Sequence, residues 1–92
     1  MEFAWDERKA SANAKKHQVS FHEAATVFGD TMAVTFHDPE NSTTEHRFLT
    51  FGLSGLGRLL VVSHTDRGQT TRIISARRMT RREREIYEEG ES

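Results

Sequence analysis

The chain has no cysteine, and only one proline, one tryptophan and one tyrosine among its 92 residues. Without thiols there is no disulfide, no thiolate nucleophile and no Cys-ligated zinc, which agrees with a reducing compartment. No apolar run approaches the roughly eighteen residues of a membrane span. The N-terminal MEFAWDERKA has no basic region followed by an apolar stretch, so no secretory signal is expected and the cytoplasm is the expected location. Walker loop, dinucleotide fingerprint, HExxH and nucleophile elbow are all missing. The five histidines, His17, His22, His37, His46 and His64, are scattered, with no i, i+4 pair on an expected helix. Neither a metal nor another cofactor is therefore expected.

Charge is present in both signs and is unevenly placed. The net charge is -1. Up to His46 there are four basic against eight acidic residues; from Arg47 onward nine arginines face six acidic residues, and every cation in that half is arginine. Arginine offers a planar fork that grips phosphate or carboxylate through two hydrogen bonds, where lysine is a point charge. Six of the arginines lie in Thr70 to Arg84: Arg72, Arg77, Arg78, Arg81, Arg82 and Arg84.

A chain of this length makes one domain, residues 1–92, with one modest core. Phe3-Ala4-Trp5 suits a short edge strand, and Asp6 caps a helix to about Lys16 whose least polar stripe is Ala10, Asn13, Ala14 and His17. Asn13 and His17 either hydrogen-bond loop carbonyls and fix the turn, or His17 and its neighbour Lys16 reach a ligand. Ser20-Phe21-His22-Glu23 is a capping box with Val19 and Ala24 as its hydrophobic staple, and Gly29 sits where a left-handed helix terminus belongs. Strands are predicted at Met32–Phe36, His46–Leu53, Arg58–Thr65 and Thr70–Arg78. A polar turn from His37 to Ser42 and a hairpin turn at Asp66-Arg67-Gly68 separate them. Thr80-Arg81-Arg82-Glu83 is a second capping box, opening a short helix that returns Ile86 and Tyr87 to the core, and Gly90-Glu91-Ser92 should fray. The expected class is α+β: a small antiparallel sheet of about four main strands, plus the short N-terminal one. Two N-terminal helices should lie on one face, with the short helix at the C-terminus.

What remains for chemistry is basic and polar: Arg47, Arg58, Arg72, Arg77, Arg78 and His64 on strands, with Tyr87 behind. This set suits transfer at an RNA phosphate, where the ribose 2′-hydroxyl is an internal nucleophile. The protein then has to align that hydroxyl, stabilise phosphoryl charge and move a proton. Arginine serves the second task and histidine the third. Ion pairing of Arg72 and Arg77 with Glu45, Glu83 or Asp66, and a plain structural role for His64, are the competing readings. Regular alternation puts Arg72 with Ile74 and Ala76 on one face, and Ile73 with Ser75 and Arg77 on the other. Either the strand bulges before Arg77, or one of the two arginines is structural.

The string Phe3-x-Trp5-Asp6-x-x-Lys9, then Asn13-x-x-Lys16-His17-x-Val19-x-Phe21-x-x-Ala24, then Arg72-Ile73-Ile74-Ser75-Ala76-Arg77 with Glu83 and Tyr87, resembles the BrnT toxins of bacterial type II toxin-antitoxin systems. The resemblance implies a RelE-like fold and a metal-independent endoribonuclease that cleaves RNA and arrests translation and growth. It also implies a BrnA-like antitoxin carrying a ribbon-helix-helix domain, through which alone operator DNA would be contacted. In RelE-like enzymes the active surface is a concave sheet face bearing basic side chains. The matching positions here are Arg47, Arg72 and Arg77, with Lys16 and His17 from the helix end. His64 joins them as a catalytic candidate, and Arg58 and Arg78 as RNA-binding candidates. Such toxins are usually clearly basic, so in this chain local arginines must carry RNA affinity. The alternative is a non-catalytic RNA- or antitoxin-binding module on the same fold.

Overall fold

The computed structural model describes residues 1–41 and 45–89. In chain order these form β1 (Glu2–Ala4), α1 (Glu7–His17), α2 (Phe21–Thr26), a 3₁₀ turn (Val27–Gly29), β2 (Val34–Asp38), a second 3₁₀ turn (Pro39–Asn41), β3 (Arg47–Leu53), β4 (Leu59–Arg67), β5 (Thr70–Arg78) and α3 (Arg81–Glu89). The five strands make one sheet in the order β1-β5-β4-β3-β2. β2 to β5 form the expected antiparallel meander, but β1 runs parallel to β5, so the sheet is mixed rather than wholly antiparallel. The meander leaves the outer side of β5 open, and β1 pairs there over three residues before α1 packs against the same strand.

Local chemistry sets the helix ends. The Asp6 carboxylate accepts from the backbone N–H of Arg8 (2.7 Å) and Lys9 (3.3 Å) and starts α1. Gln18 ends α1 in the left-handed region (φ 56°), with its N–H on the Ala14 carbonyl. Ser20 Oγ caps α2 by accepting from Glu23 N at 3.0 Å, yet only half of the expected capping box forms, because the Glu23 carboxylate turns instead to Ser54 and Arg58. Gly29 is not left-handed: α2 tightens into a 3₁₀ turn closed by Asp30 N–H on the Val27 carbonyl. The Thr80 box is complete, with Glu83 N donating to Thr80 Oγ1 (3.2 Å) and Thr80 N donating to Glu83 Oε1 (2.9 Å).

Of the strand boundaries that moved from their expected places, two have a visible local cause. β2 begins at Val34 rather than Met32, because Asp30 holds Met32 N (2.9 Å) and Ala33 N (3.1 Å) in a turn. β4 continues to Arg67, and the turn is Gly68-Gln69, with Gly68 supplying φ 58°. Ser42 of the expected polar turn, and Gly90-Glu91-Ser92, lie outside the described residues.

α1 and α2 cover one face of the sheet. Val19, Phe21, Ala24 and Val27 meet Leu60, Val62, Ile73 and Ala76 there, each at most 1% exposed. Full burial of a large apolar side chain contributes about 1.5–3 kcal/mol, so this cluster dominates the fold's stability. Asn13 anchors α1 to it: Nδ2 donates to the carbonyls of Val19 (2.9 Å) and Ala76 (2.8 Å), and Oδ1 accepts from Ala76 N (3.1 Å). The polar interruption of the α1 stripe is thus structural at Asn13. On the opposite face Met79 and Tyr87 pack on Phe51 and Val61, with Leu49, Leu59 and Ile86 around them.

Ile73 and Ala76 both belong to the helix-side cluster although they are three residues apart, a spacing that a regular strand cannot place on one face. The register explains it. His64 pairs with Ile73 and Ser63 with Ser75, so Ile74 is an extra residue in β5. This bulge resets the alternation, and everything after it changes face.

Candidate active site

Because of the bulge, Arg72 and Arg77 both project from the face that α1 and α2 leave open. Arg72 is level with Thr65 on β4, and Thr65 is level with Arg47 on β3. Arg47, Thr65 and Arg72 therefore form one row across three strands. The two arginine backbones are about 10 Å apart, a separation that long guanidinium stems can close around one phosphate. Thr65 is 3% exposed, and its Oγ1 has no hydrogen-bond partner among the described residues. A buried hydroxyl without a partner is uncommon, because leaving one costs about 1–3 kcal/mol.

Glu45 lies by this row. Arg67 holds it with an Nε–Oε2 distance of 2.7 Å. That hydrogen bond, followed by the charges of Arg67, Arg72 and Arg47, keeps the Glu45 carboxyl below its ordinary value. Arg67 thus satisfies the nearest carboxylate. The Arg72 side chain has no hydrogen bond or ion pair among the described residues, and its donors are available to a ligand.

Arg77 shares the face but not the row. It meets Glu83 through two parallel bonds, Nη1–Oε1 at 2.7 Å and Nη2–Oε2 at 2.8 Å. These bonds to Arg77, together with the Thr80 amide, pull the Glu83 carboxyl down to about 2 against the opposing effect of burial. Arg77 therefore ties the end of β5 to the first turn of α3, as the ion-pair reading anticipated. Tyr87 has a comparable role, since its hydroxyl donates to Asp30 Oδ2 at 2.7 Å.

The histidine candidates separate. His64 is 2% exposed and lies on the helix side, away from the arginine row. Phe28 stands edge-on to its ring at 4.9 Å between centroids and Phe48 stacks on it at 5.9 Å. Its Nδ1 bonds Asp66 Oδ1 (2.9 Å) and its Nε2 bonds Thr50 Oγ1 (2.7 Å), while Thr50 Oγ1 meets Thr35 Oγ1 (2.8 Å). Burial pushes the imidazole below its ordinary pKa despite Asp66. Among the described residues His64 is a buried link in a structural chain, and the catalytic role expected for it does not fit this position. His17 is half-buried at the end of α1 and, with Lys16, lines a shallow cleft of about 230 Å³ beside Ile74 and Ser75. It is the histidine next to the bulge.

Arg58 and Arg78, expected to bind RNA, meet at the other end of the sheet. Arg58 is committed to Glu23: Nε donates to Oε2 at 2.9 Å, Nη2 pairs with Oε1, and Nη2 also donates to the Gln18 carbonyl at 2.9 Å. The Arg58 hydrogen bond, helped by Ser54, holds the Glu23 carboxyl down although burial opposes it. Arg78 lines a cavity of about 300 Å³ with Arg58 and Arg84. Sequence reasoning missed Thr65 and Arg84. Thr65 has no motif around it, while Arg84 could have been suspected from its place among the six arginines. No three metal-ligating side chains converge among the described residues, and no helix there is long and apolar enough to cross a membrane.

Comparison with known proteins agrees with this architecture. The chain matches over 88% of its length, and 99% of the other, the 1.1 Å crystal structure of the Brucella abortus ribonuclease toxin BrnT, with a TM-score of 0.67 and 21% identity. At that identity the likeness speaks for the fold. No curated protein matches. Residues 5–83 match the family model described as the ribonuclease toxin BrnT of type II toxin-antitoxin systems. With the model spanning most of the chain, from Trp5 through the Arg77–Glu83 pair, the protein belongs to the BrnT family of ribonuclease toxins.

Proposed function

We propose that this chain is a metal-independent endoribonuclease whose scissile phosphate rests on the open face between Arg47 and Arg72. The observation that carries the reading is the row Arg47, Thr65 and Arg72, with an unpartnered buried hydroxyl between two arginines. A bound phosphoryl group supplies the partner that Arg72 and Thr65 lack among the described residues. Its oxygens accept from the guanidinium forks, and one accepts from Thr65 Oγ1. The 2′-hydroxyl loses its proton and attacks phosphorus, and the P–O5′ bond breaks to leave a 2′,3′-cyclic phosphate and a 5′-hydroxyl that takes up a proton. During this step charge grows on those oxygens and the preset donors stabilise it more strongly than they stabilise the ground state.

His17 is the more accessible of the two histidine candidates, half-buried beside Ile74 and Ser75 at the end of α1, whereas His64 is sealed under Phe28 and Phe48. α1 packs on the face opposite the arginine row, so proton transfer there is assigned to neither. Lys16 on the same cleft attracts the RNA backbone. Cleavage then arrests translation and growth in the cytoplasm, and a BrnA-like ribbon-helix-helix antitoxin neutralises the toxin and alone contacts operator DNA.

The test is cleavage of RNA by the purified chain in EDTA, beside growth of a bacterial host expressing the chain alone. Arrest and cleavage that both vanish in Arg72→Ala are expected. Healthy growth with well-folded wild-type protein would instead favour a binding module, and cleavage lost on chelation would overturn the metal-free mechanism.

A further inference from the structure

A second basic site lies where β4 begins and β5 ends. The cavity of about 300 Å³ there is lined by Gly57, Arg58, Leu59, Arg78, Met79 and Arg84. Its three arginines come from three places in the chain: the entry to β4, the end of β5 and the first turn of α3. Arg58 is oriented by Glu23 and the Gln18 carbonyl, which use Nε and Nη2 and leave Nη1 without a hydrogen bond among the described residues. Arg78 feels the Glu23 charge but has no side-chain hydrogen bond or ion pair there, and Arg84 has neither. Three guanidinium groups thus line one cavity, and the carboxylate that acts on two of them, Glu23, is already held by Arg58.

Like-charged groups brought to one cavity cost free energy unless an anion occupies it. A carboxylate has two oxygens in one plane and can satisfy one fork well. A phosphoryl group presents three oxygens in three directions, which suits donors arriving from three elements. The volume is at the lower end for small-ligand sites, enough for a phosphoryl group and part of what it is attached to. Gly57 leaves the rim open: it has φ 81°, and a Cβ built there would meet nothing within 4 Å.

We infer that this cavity binds a phosphoryl group through Arg58, Arg78 and Arg84, independently of the Arg47–Thr65–Arg72 row. Arg78 is level with Leu60 and so belongs to the helix side at the sheet's end, whereas Arg72 is on the open face. The group comes either from a free nucleotide or from a backbone phosphate of an RNA chain.

The experiment is titration of the full chain with inorganic phosphate, a nucleoside 5′-monophosphate and a 2′-O-methyl RNA oligonucleotide. Amide resonances of Gly57, Leu59 and Met79 provide the readout. Inorganic phosphate is expected to shift all three saturably, and Arg78→Gln or Arg84→Gln to weaken it about tenfold or more. Among the described residues neither arginine has a side-chain hydrogen bond or ion pair to lose, so thermal midpoints should move little. Tighter binding of the nucleotide than of phosphate identifies a free nucleotide as the source, and tightest binding of the oligonucleotide identifies RNA. No saturable shift up to about 10 mM phosphate, well beyond a Kd of about 1 mM, overturns the inference. So does an equal response to chloride, or loss of the shift in Arg72→Gln. Loss of RNA cleavage in Arg72→Ala has no bearing on the outcome, so the two sites succeed or fail separately.

Discussion

Arg72 and Arg77 are an odd number of residues apart on β5 and yet project from the same face, because Ile74 is bulged out of the ladder between them. Sharing a face does not give them one task. Arg72 keeps its donors, while Arg77 is gripped by Glu83 in a fork-to-fork pair.

The two arginines should therefore fail differently when truncated. Arg72→Ala is expected to remove RNA cleavage and leave unfolding free energy within about 0.5 kcal/mol of the parent. Arg77→Ala should cost about 1.5–3 kcal/mol, because charge-assisted bonds are lost and a half-buried Glu83 loses its partner. Urea unfolding beside a cleavage assay checks both. A stable but inactive Arg77→Ala would restore Arg77 to the active surface.

Deleting Ile74 tests the bulge itself. Without the extra residue, Ser75 follows Ile73 directly and still lies opposite Ser63, so the ladder becomes regular and Ser75 to Arg78 keep their faces. The deletion should therefore keep cooperative folding, whereas deleting Ile74 and Ser75 together, which exchanges the faces of Ala76, Arg77 and Arg78, should abolish it. Circular dichroism melting curves of the two variants distinguish these outcomes.

Thr65→Val replaces the partnerless hydroxyl with a methyl group of the same shape. Stability should rise by about 1 kcal/mol, since the unsatisfied polar atom is gone. Affinity for a non-cleavable RNA should fall. If both quantities stay unchanged, Thr65 has no part in holding phosphate.

Arg58→Ala should destabilise the fold by about 3–5 kcal/mol, because it strands the Glu23 carboxylate, whose side chain is 3% exposed. Restoring charge neutrality with Glu23→Gln in the same chain should recover part of the loss. A double-mutant cycle of denaturant midpoints measures the coupling.

His64 sets a pH dependence. Its folded pKa is below the ordinary value of 6.5, so the unfolded chain takes up a proton first as pH falls. Stability is then complete above pH 6.5 and declines below it, until the folded pKa is passed. The Glu83 contribution is lost in a separate window, between 4.5 and about 2. A fall in melting temperature between pH 6.5 and 5 that disappears in His64→Gln is the expected result.

Much of the architecture could be read from the residues. Both cap serine and threonine positions, Ser20 and Thr80, start helices as expected, since capping is a contact among residues three apart. The faces of β3 follow plain alternation, with Arg47, Leu49 and Phe51 together. The competing readings of Arg77 and His64 were also stated by the sequence, but the choice between them needed partners that are remote or on the other side of a strand.

The pattern of apolar and polar residues determined the element order, the antiparallel meander and the concentration of arginine in the second half, because each depends on neighbours within a few positions. Tertiary structure decided the rest. It turned β1 parallel to β5, sent Glu23 away from its own cap to Arg58, and sealed His64 on the helix side. Above all, it placed the bulge at Ile74. A bulge is a mismatch in register between two strands, and no property of β5 alone contains the position of its partner. The row of Arg47, Thr65 and Arg72 exists only once three strands from different parts of the chain have come into register.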